Sequence, residues 1–274
     1  MAPTSERKSR NNARKSAARE VQRKNPGMGY KEALSLTPSS DSLAARRFLH
    51  RSGQLLVALE SVENAVFRDM RVRRSAPGNA YLTVELDGWG ELTRLWFAAV
   101  ARHTPEQIGA MTMAAIAECY HALGECQRRV MDAVTLANGV SELRGAVSEW
   151  GVPDWSAAAA PEPDAEQSFS AREFTVVNPT RSVSVSVSGR GLFTAVTVTS
   201  ADVDRESLAR EIVAVAGLAM AKRRMELRLW ALANYKGEGR ARDRFDRIFR
   251  EYRKCPTSGE YQALEDRVFA SGSA

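Results

Sequence analysis

Three cysteines and three histidines are all that 274 residues contain. So few thiols exclude a disulfide-stapled scaffold and suit a reducing compartment. They also leave little for a metal centre. Cys119 and Cys126 lie seven apart on one helix face, with His121 off that face. Two thiols do not complete a tetrahedral zinc shell, so both read as small core residues. His50, His103 and His121 have no Asp, Ser or Cys nearby in an arrangement that activates a nucleophile. No apolar run approaches the roughly 20 residues of a membrane-spanning helix, and no hydrophobic signal segment follows the basic start. A phosphate cradle is missing too. Gly88-Trp89-Gly90 and Gly189-Arg190-Gly191 each sit between two strands, whereas a pyrophosphate loop joins a strand to a helix N-terminus. Both pairs read as turn glycines. Asp202 and Asp204 precede a helix, where N-capping accounts for at least one of them. The expectation is a soluble cytoplasmic protein that is not an enzyme and holds no cofactor or metal.

Hydrophobic residues make up 44% of the chain and charged residues 26%, a globular composition with length for two ordinary domains. Lys and Arg number 39 against 33 Asp and Glu, for a net charge of +6. That charge is segregated. Residues 1–40 hold nine basic and three acidic side chains, residues 222–254 hold twelve and five, and the stretch 41–221 holds 17 and 22. Basic ends on a mildly acidic body point to a polyanion partner, most simply nucleic acid. The plainer alternative is that the ends keep the protein soluble or line helix faces with ion pairs such as Asp243 with Arg247.

Residues 1–24 carry their charges among Ala, Ser and Asn, a composition expected to be disordered or weakly helical. Asn25-Pro26-Gly27 breaks the chain, and Met28, Tyr30, Ala33 and Leu34 suffice for one short helix. Residues 1–40 thus form a basic arm. Leu49, Leu56, Leu59, Val62 and Val66 then recur at helical spacing, predicting a helix over 42–67. The period next changes to two. An edge strand is expected at 70–74, followed by a hairpin in which Leu82, Val84 and Leu86 alternate with polar residues, Asp87-Gly88-Trp89-Gly90 turns the chain, and Leu92, Leu95 and Phe97 return. Thr104-Pro105-Glu106 opens a long, largely buried helix reaching towards Trp150, with Gly124 and Gly139 as candidate breaks. Residues 151–171 are rich in Pro, Ala and acids without apolar periodicity, and mark a linker.

After the linker the pattern returns. A strand is expected at 174–177, then Val183, Val185 and Val187, the turn Gly189-Arg190-Gly191, and Phe193, Val196 and Val198. A shift of 101 places Leu82, Val84, Leu86, Gly88, Gly90, Leu92, Leu95 and Phe97 on those positions. One deletion later, Ile108, Thr112 and Ala115 fall on Leu208, Ile212 and Val215. The chain therefore carries a duplicated strand–strand–strand–helix unit. The expected fold is α+β: a first unit over 41–150, a second over 172–230, and a basic amphipathic helical extension over 231–274.

The unit resembles the YbaB/EbfC family of small bacterial nucleoid-associated proteins. The residues that carry the resemblance are AYLTVELDGWGELTRLWF at 80–97, SVSVSVSGRGLFTAVTV at 182–198, and the helices from about Pro105 and Arg205. Family members are homodimers that bind DNA with little sequence preference. The resemblance implies double-stranded DNA as partner, a nucleoid location, and either a homo-oligomer or one chain supplying its own pseudo-dimer. The expected phosphate contacts are Arg7, Lys8, Arg10, Arg14, Lys15, Arg19, Arg23 and Lys24 in the arm. On the C-terminal helices they are Lys222, Arg223, Arg224, Arg228, Arg240, Arg242 and Arg244, beside an apolar stripe of Leu229, Trp230, Leu232, Phe245, Ile248, Phe249 and Tyr252. The alternative is a scaffold that has lost DNA binding and takes a protein partner.

Overall fold

The structure is a computed structural model that describes residues 15–16, 18–20, 22–23, 40–98, 103–138, 169–200, 204–251 and 253–271. The short helix expected at 28–34, the stretch 139–150 with Gly139, most of the linker, Asp202 and Tyr252 lie outside the described residues. The chain divides into two compact units, residues 1–60 with 135–143 and residues 61–134 with 144–274. In the first, the described residues between 15 and 23 are helical, and α1 spans Ser40–Val62.

The second unit holds both repeats. A π-helical turn, Glu63–Arg68, leads into β1 (Arg71–Ser75), β2 (Leu82–Asp87), β3 (Leu92–Phe97) and α2 (Pro105–Asn138). A short 3-10 turn, Phe169–Ala171, leads into β4 (Glu173–Val177), β5 (Val183–Ser188), β6 (Phe193–Val198) and α3 (Arg205–Asn234), followed by α4 (Arg240–Glu251) and α5 (Ser258–Ser271). The fold is α+β, with two antiparallel three-stranded sheets ordered β1-β2-β3 and β4-β5-β6. The first helix differs from expectation, giving way at Val62 to the π-helical turn that buries Val66 and Phe67.

The repeat extends to details that alternation alone does not dictate. The register slips at Glu85/Leu86 in the first hairpin and at Ser186/Val187 in the second, each slip marking a bulge that bends the ladder. In each turn the second glycine lies in the left-handed region, Gly90 at φ 75° and Gly191 at φ 86°, where a side chain is disfavoured. The first glycine serves a different purpose. A Cβ on Gly88 would stand 1.7 Å from the carbonyl oxygen of Val66, and one on Gly189 would stand 1.8 Å from that of Phe169. Each hairpin turn is thus pressed on the helical turn that precedes its own sheet.

Both helices start on the caps their sequences offer. Thr104 and Gln107 form a reciprocal capping box, in which Thr104 N donates to Gln107 Oε1 at 2.9 Å and Gln107 N donates to Thr104 Oγ1 at 3.3 Å. Asp204 accepts from the backbone N–H groups of Glu206 and Ser207, both at 3.0 Å. Gly124 does not break α2, which runs unbroken to Asn138. Gly124 is buried on the packed face, and tertiary packing offsets the roughly 1 kcal/mol that glycine costs a helix interior.

The inner faces of the two sheets, with α2 and α3, form one continuous core. Leu82, Val84, Leu86, Ile116, Leu123, Val185, Val187 and Ile212 are wholly excluded from solvent. Each helix reaches the last strand of the other repeat. On α2, Gly109 is so close to β6 that a Cβ would lie 2.5 Å from Val196 O, and the Tyr120 hydroxyl accepts from Phe193 N at 3.0 Å. On α3, which packs on β3 as well as on β4 and β5, Arg205 Nη1 donates to Ala98 O at 3.3 Å. This reciprocal crossing is a single-chain pseudo-dimer, in which neither repeat closes its core alone.

Candidate nucleic-acid interface

The fifteen basic residues singled out in the sequence fall into three groups, of which the first lies largely outside the described residues. Arg7, Lys8, Arg10, Arg14 and Lys24 lie outside the described residues. Lys15 and Arg19 are exposed, and the exposed Arg23 pairs with Glu20 at 2.8 Å.

Lys222, Arg223, Arg224 and Arg228 are turned into the fold. Their partners come from β4, the two hairpin turns and α4. Lys222 Nζ donates to Thr175 O at 2.9 Å. Arg223 Nε donates to Gly189 O at 2.9 Å, its guanidinium lying against Gly191. Arg224 pairs with Glu91, beside the equivalent turn of the first repeat. Two neighbouring arginines therefore fasten α3 to both duplicated turns. Burial holds the pKa of each below the ordinary guanidinium value, the direction expected when a charge leaves water. Arg228 makes a two-pronged pair with Asp246, Nε to Oδ1 at 2.6 Å and Nη2 to Oδ2 at 2.9 Å, and so ties α4 to α3. An Arg228→Ala variant is expected to lose about 2 kcal/mol, the range for charged hydrogen bonds. Urea denaturation checks it, with a double-mutant cycle against Asp246→Ala isolating the coupling.

The segment beyond α3 presents the opposite arrangement. α4 docks through Phe245 and Phe249. The Phe245 ring stacks on Tyr235 with centroids 4.2 Å apart, and Phe249 is buried with Ala231 and Cys255. Burial raises the pKa of the Cys255 thiol despite the arginines around it, leaving it an inert core residue. The apolar stripe is narrower than the sequence suggests, since Leu229 and Ile248 are exposed. On the far side Arg240, Arg244 and Arg247 follow one another at helical spacing, whereas Arg242, three and seven residues before Phe245 and Phe249, stands on the docking side in the first turn. All four are exposed and none forms an ion pair among the described residues. The Asp243–Arg247 pair considered from sequence is not formed. Arg250, by contrast, is engaged by Glu260 at 3.0 Å.

Other candidate chemistry resolves into structure. Cys119 Sγ donates to the carbonyls of Val72 and Val84, both at 3.6 Å, and burial pushes its pKa up to about 11. Trp89, 41% exposed, rests on Phe67 with ring centroids 4.5 Å apart. Among the described residues no group of His, Cys, Asp and Glu is placed to hold a metal ion, and no helix is long and apolar enough to cross a membrane. Segmental charge counting passes over one cationic surface. Arg71, Arg73 and Arg94 are exposed on the first sheet, inside a stretch whose overall charge is negative. The signal available in sequence was arginine at alternate positions of a strand, Arg71 and Arg73.

No protein-family model, curated protein or solved structure matches this chain.

Proposed function

We propose that this protein binds double-stranded DNA without catalysing a reaction, holding it through phosphate contacts with little sequence preference, as a nucleoid-associated protein of the YbaB/EbfC kind. The observation that carries the reading is the outer side of α4. Arg240, Arg244 and Arg247 lie there, exposed and without ion pairs among the described residues, on a helix docked by two phenylalanines and by the Arg228–Asp246 pair, and Arg242 is exposed in its first turn. Guanidinium groups carried on a docked helix suit phosphate oxygens, and such contacts position a duplex without reading bases. The pairing of two units in one core also parallels the family's homodimer. The basic arm adds a second set of contacts from residues 7–24.

A salt series with random-sequence duplex DNA tests this. With about six phosphates neutralised, log K falls against log [salt] with a slope near −5. Replacing Arg7, Lys8, Arg10, Arg14, Lys15, Arg19, Arg23 and Lys24 by glutamine is expected to make the slope shallower and weaken binding. Absent or salt-insensitive binding would overturn the reading in favour of a protein-interaction scaffold.

A further inference from the structure

The duplication supplies an internal comparison, because each sheet shows what the other needs in order to fold. At inward positions the two agree. Val72, Val84 and Leu86 correspond to Phe174, Val185 and Val187, all buried. At outward positions they part. Arg71, Arg73, Arg94 and Trp96 stand where the second sheet has Glu173, Thr175, Ala195 and Thr197. The same three-stranded sheet is built with none of those arginines, so the fold does not require them.

Their arrangement is specific. Across the middle of the first sheet Arg73 faces Glu85, and Glu85 faces Arg94. The second sheet has Thr175, Ser186 and Ala195 in that row, with the two hydroxyls bonded at 2.7 Å. Glu85 accepts from Arg73 Nη2 at 3.2 Å and from Thr93 Oγ1 at 3.1 Å. Its side chain is 14% exposed against 58% for Arg73. The carboxylate therefore lies beneath the guanidinium and orients it. Arg73 also lies over the Trp96 ring, 4.3 Å from its centroid, a second restraint on the same group. The carboxylate is paired with Arg73, and Arg94 forms no ion pair among the described residues. Arg71 is fixed through Nη1, which donates to Arg68 O at 3.0 Å and Met70 O at 2.7 Å, so the group is held in place while its charge stays at the surface.

The geometry points to the outer face of the first sheet as a second contact surface for the sugar–phosphate backbone of DNA, with Arg71, Arg73 and Arg94 as its phosphate donors and Glu85 and Trp96 as positioning residues. It rests on the DNA-binding reading and places ordered contacts in the first repeat, outside both basic ends of the chain. Oriented guanidinium groups match phosphate oxygens in charge and geometry. An acidic protein is the poorer fit, since the aromatic ring beside these arginines, Trp96, is covered by Arg73, whereas protein interfaces centre on open aromatic anchors.

Two full-length variants test this by fluorescence anisotropy on a random-sequence duplex over a salt series. Arg71→Gln with Arg94→Gln keeps the Arg73–Glu85 pair. A second variant installs the other repeat's residues, Arg71→Glu, Arg73→Thr, Arg94→Ala and Trp96→Thr. The double variant is expected to make the salt slope shallower by about 2, at roughly 0.9 per phosphate, and to weaken binding at moderate salt about 10- to 100-fold. The quadruple variant is expected to lose more; should it fail to fold, the double variant decides. An unchanged slope in the folded double variant, with wild type binding, would overturn this surface and leave α4 standing. Wild-type protein that fails to bind DNA would overturn both readings. Unchanged DNA binding together with lost binding to polyglutamate would overturn it in favour of an acidic protein partner.

Discussion

Gly88→Ala and Gly189→Ala are each expected to remove on the order of 4 kcal/mol or more of stability. A new Cβ would stand 1.7 Å from Val66 O in the first case and 1.8 Å from Phe169 O in the second. Both obstacles are backbone atoms of a helical turn and cannot swing aside as a side chain can. Relief requires lifting a hairpin turn from the segment beneath it, and those turns are the points that Arg223 and Arg224 fasten to α3. Against a typical total of about 5–15 kcal/mol, such a loss leaves little margin. Gly217→Ala is the control. It lies within α3, and a Cβ added there would meet nothing within 4 Å beyond its own helix. This variant is expected to gain about 0.5–1 kcal/mol through helix propensity and a less flexible unfolded chain. Urea midpoints of the three variants check the ordering. A loss below about 1 kcal/mol at Gly88 or Gly189 would mean that the turns do not press on the preceding segments.

Neutralising the outer side of α4, Arg240→Gln with Arg244→Gln and Arg247→Gln, is expected to make the salt slope of DNA binding shallower by about 2.7, three contacts at roughly 0.9 each. Extrapolated from about 1 M salt down to about 0.1 M, that difference corresponds to roughly 500-fold weaker binding. Stability should move little, because the three side chains are exposed and unpaired. A parallel Arg223→Gln and Arg224→Gln variant separates the two roles that one basic run combines. It is expected to destabilise the protein through the lost contacts to Gly189 O and Glu91, while leaving the salt slope of the protein that remains folded unchanged. If the α3 pair altered the slope and the α4 set did not, the two groups would have exchanged roles.

The elements were readable from local rules. Period-two alternation at Leu82, Val84 and Leu86 and again at Val183, Val185 and Val187 marked strands of the expected lengths, because a half-buried sheet sorts side chains by parity. Thr104-Pro105 and Asp204 marked helix starts because the orphan N–H groups there need acceptors. The shift of 101 carried over to the bulges and the turn glycines. Less legible were departures set by distant packing. The π-helical turn at Glu63–Arg68 and the passage of α2 through Gly124 depend on what lies against them, which no local window contains.

Charge divides in the same way. The α+β units, their duplication, and the concentration of Lys and Arg towards the ends follow from the order of residues alone, because composition and periodicity are properties of neighbours along the chain. Which guanidinium groups stay available is settled by folding. Lys222, Arg223, Arg224 and Arg228 meet carbonyls and carboxylates contributed by β4, the two hairpin turns and α4. Arg71, Arg73 and Arg94 share one face because antiparallel register brings residues more than twenty positions apart into adjacent rows. A cation's partner is fixed by its neighbours in space, so the basic run 222–254 divides into side chains taken up by the fold on α3 and side chains left exposed on α4.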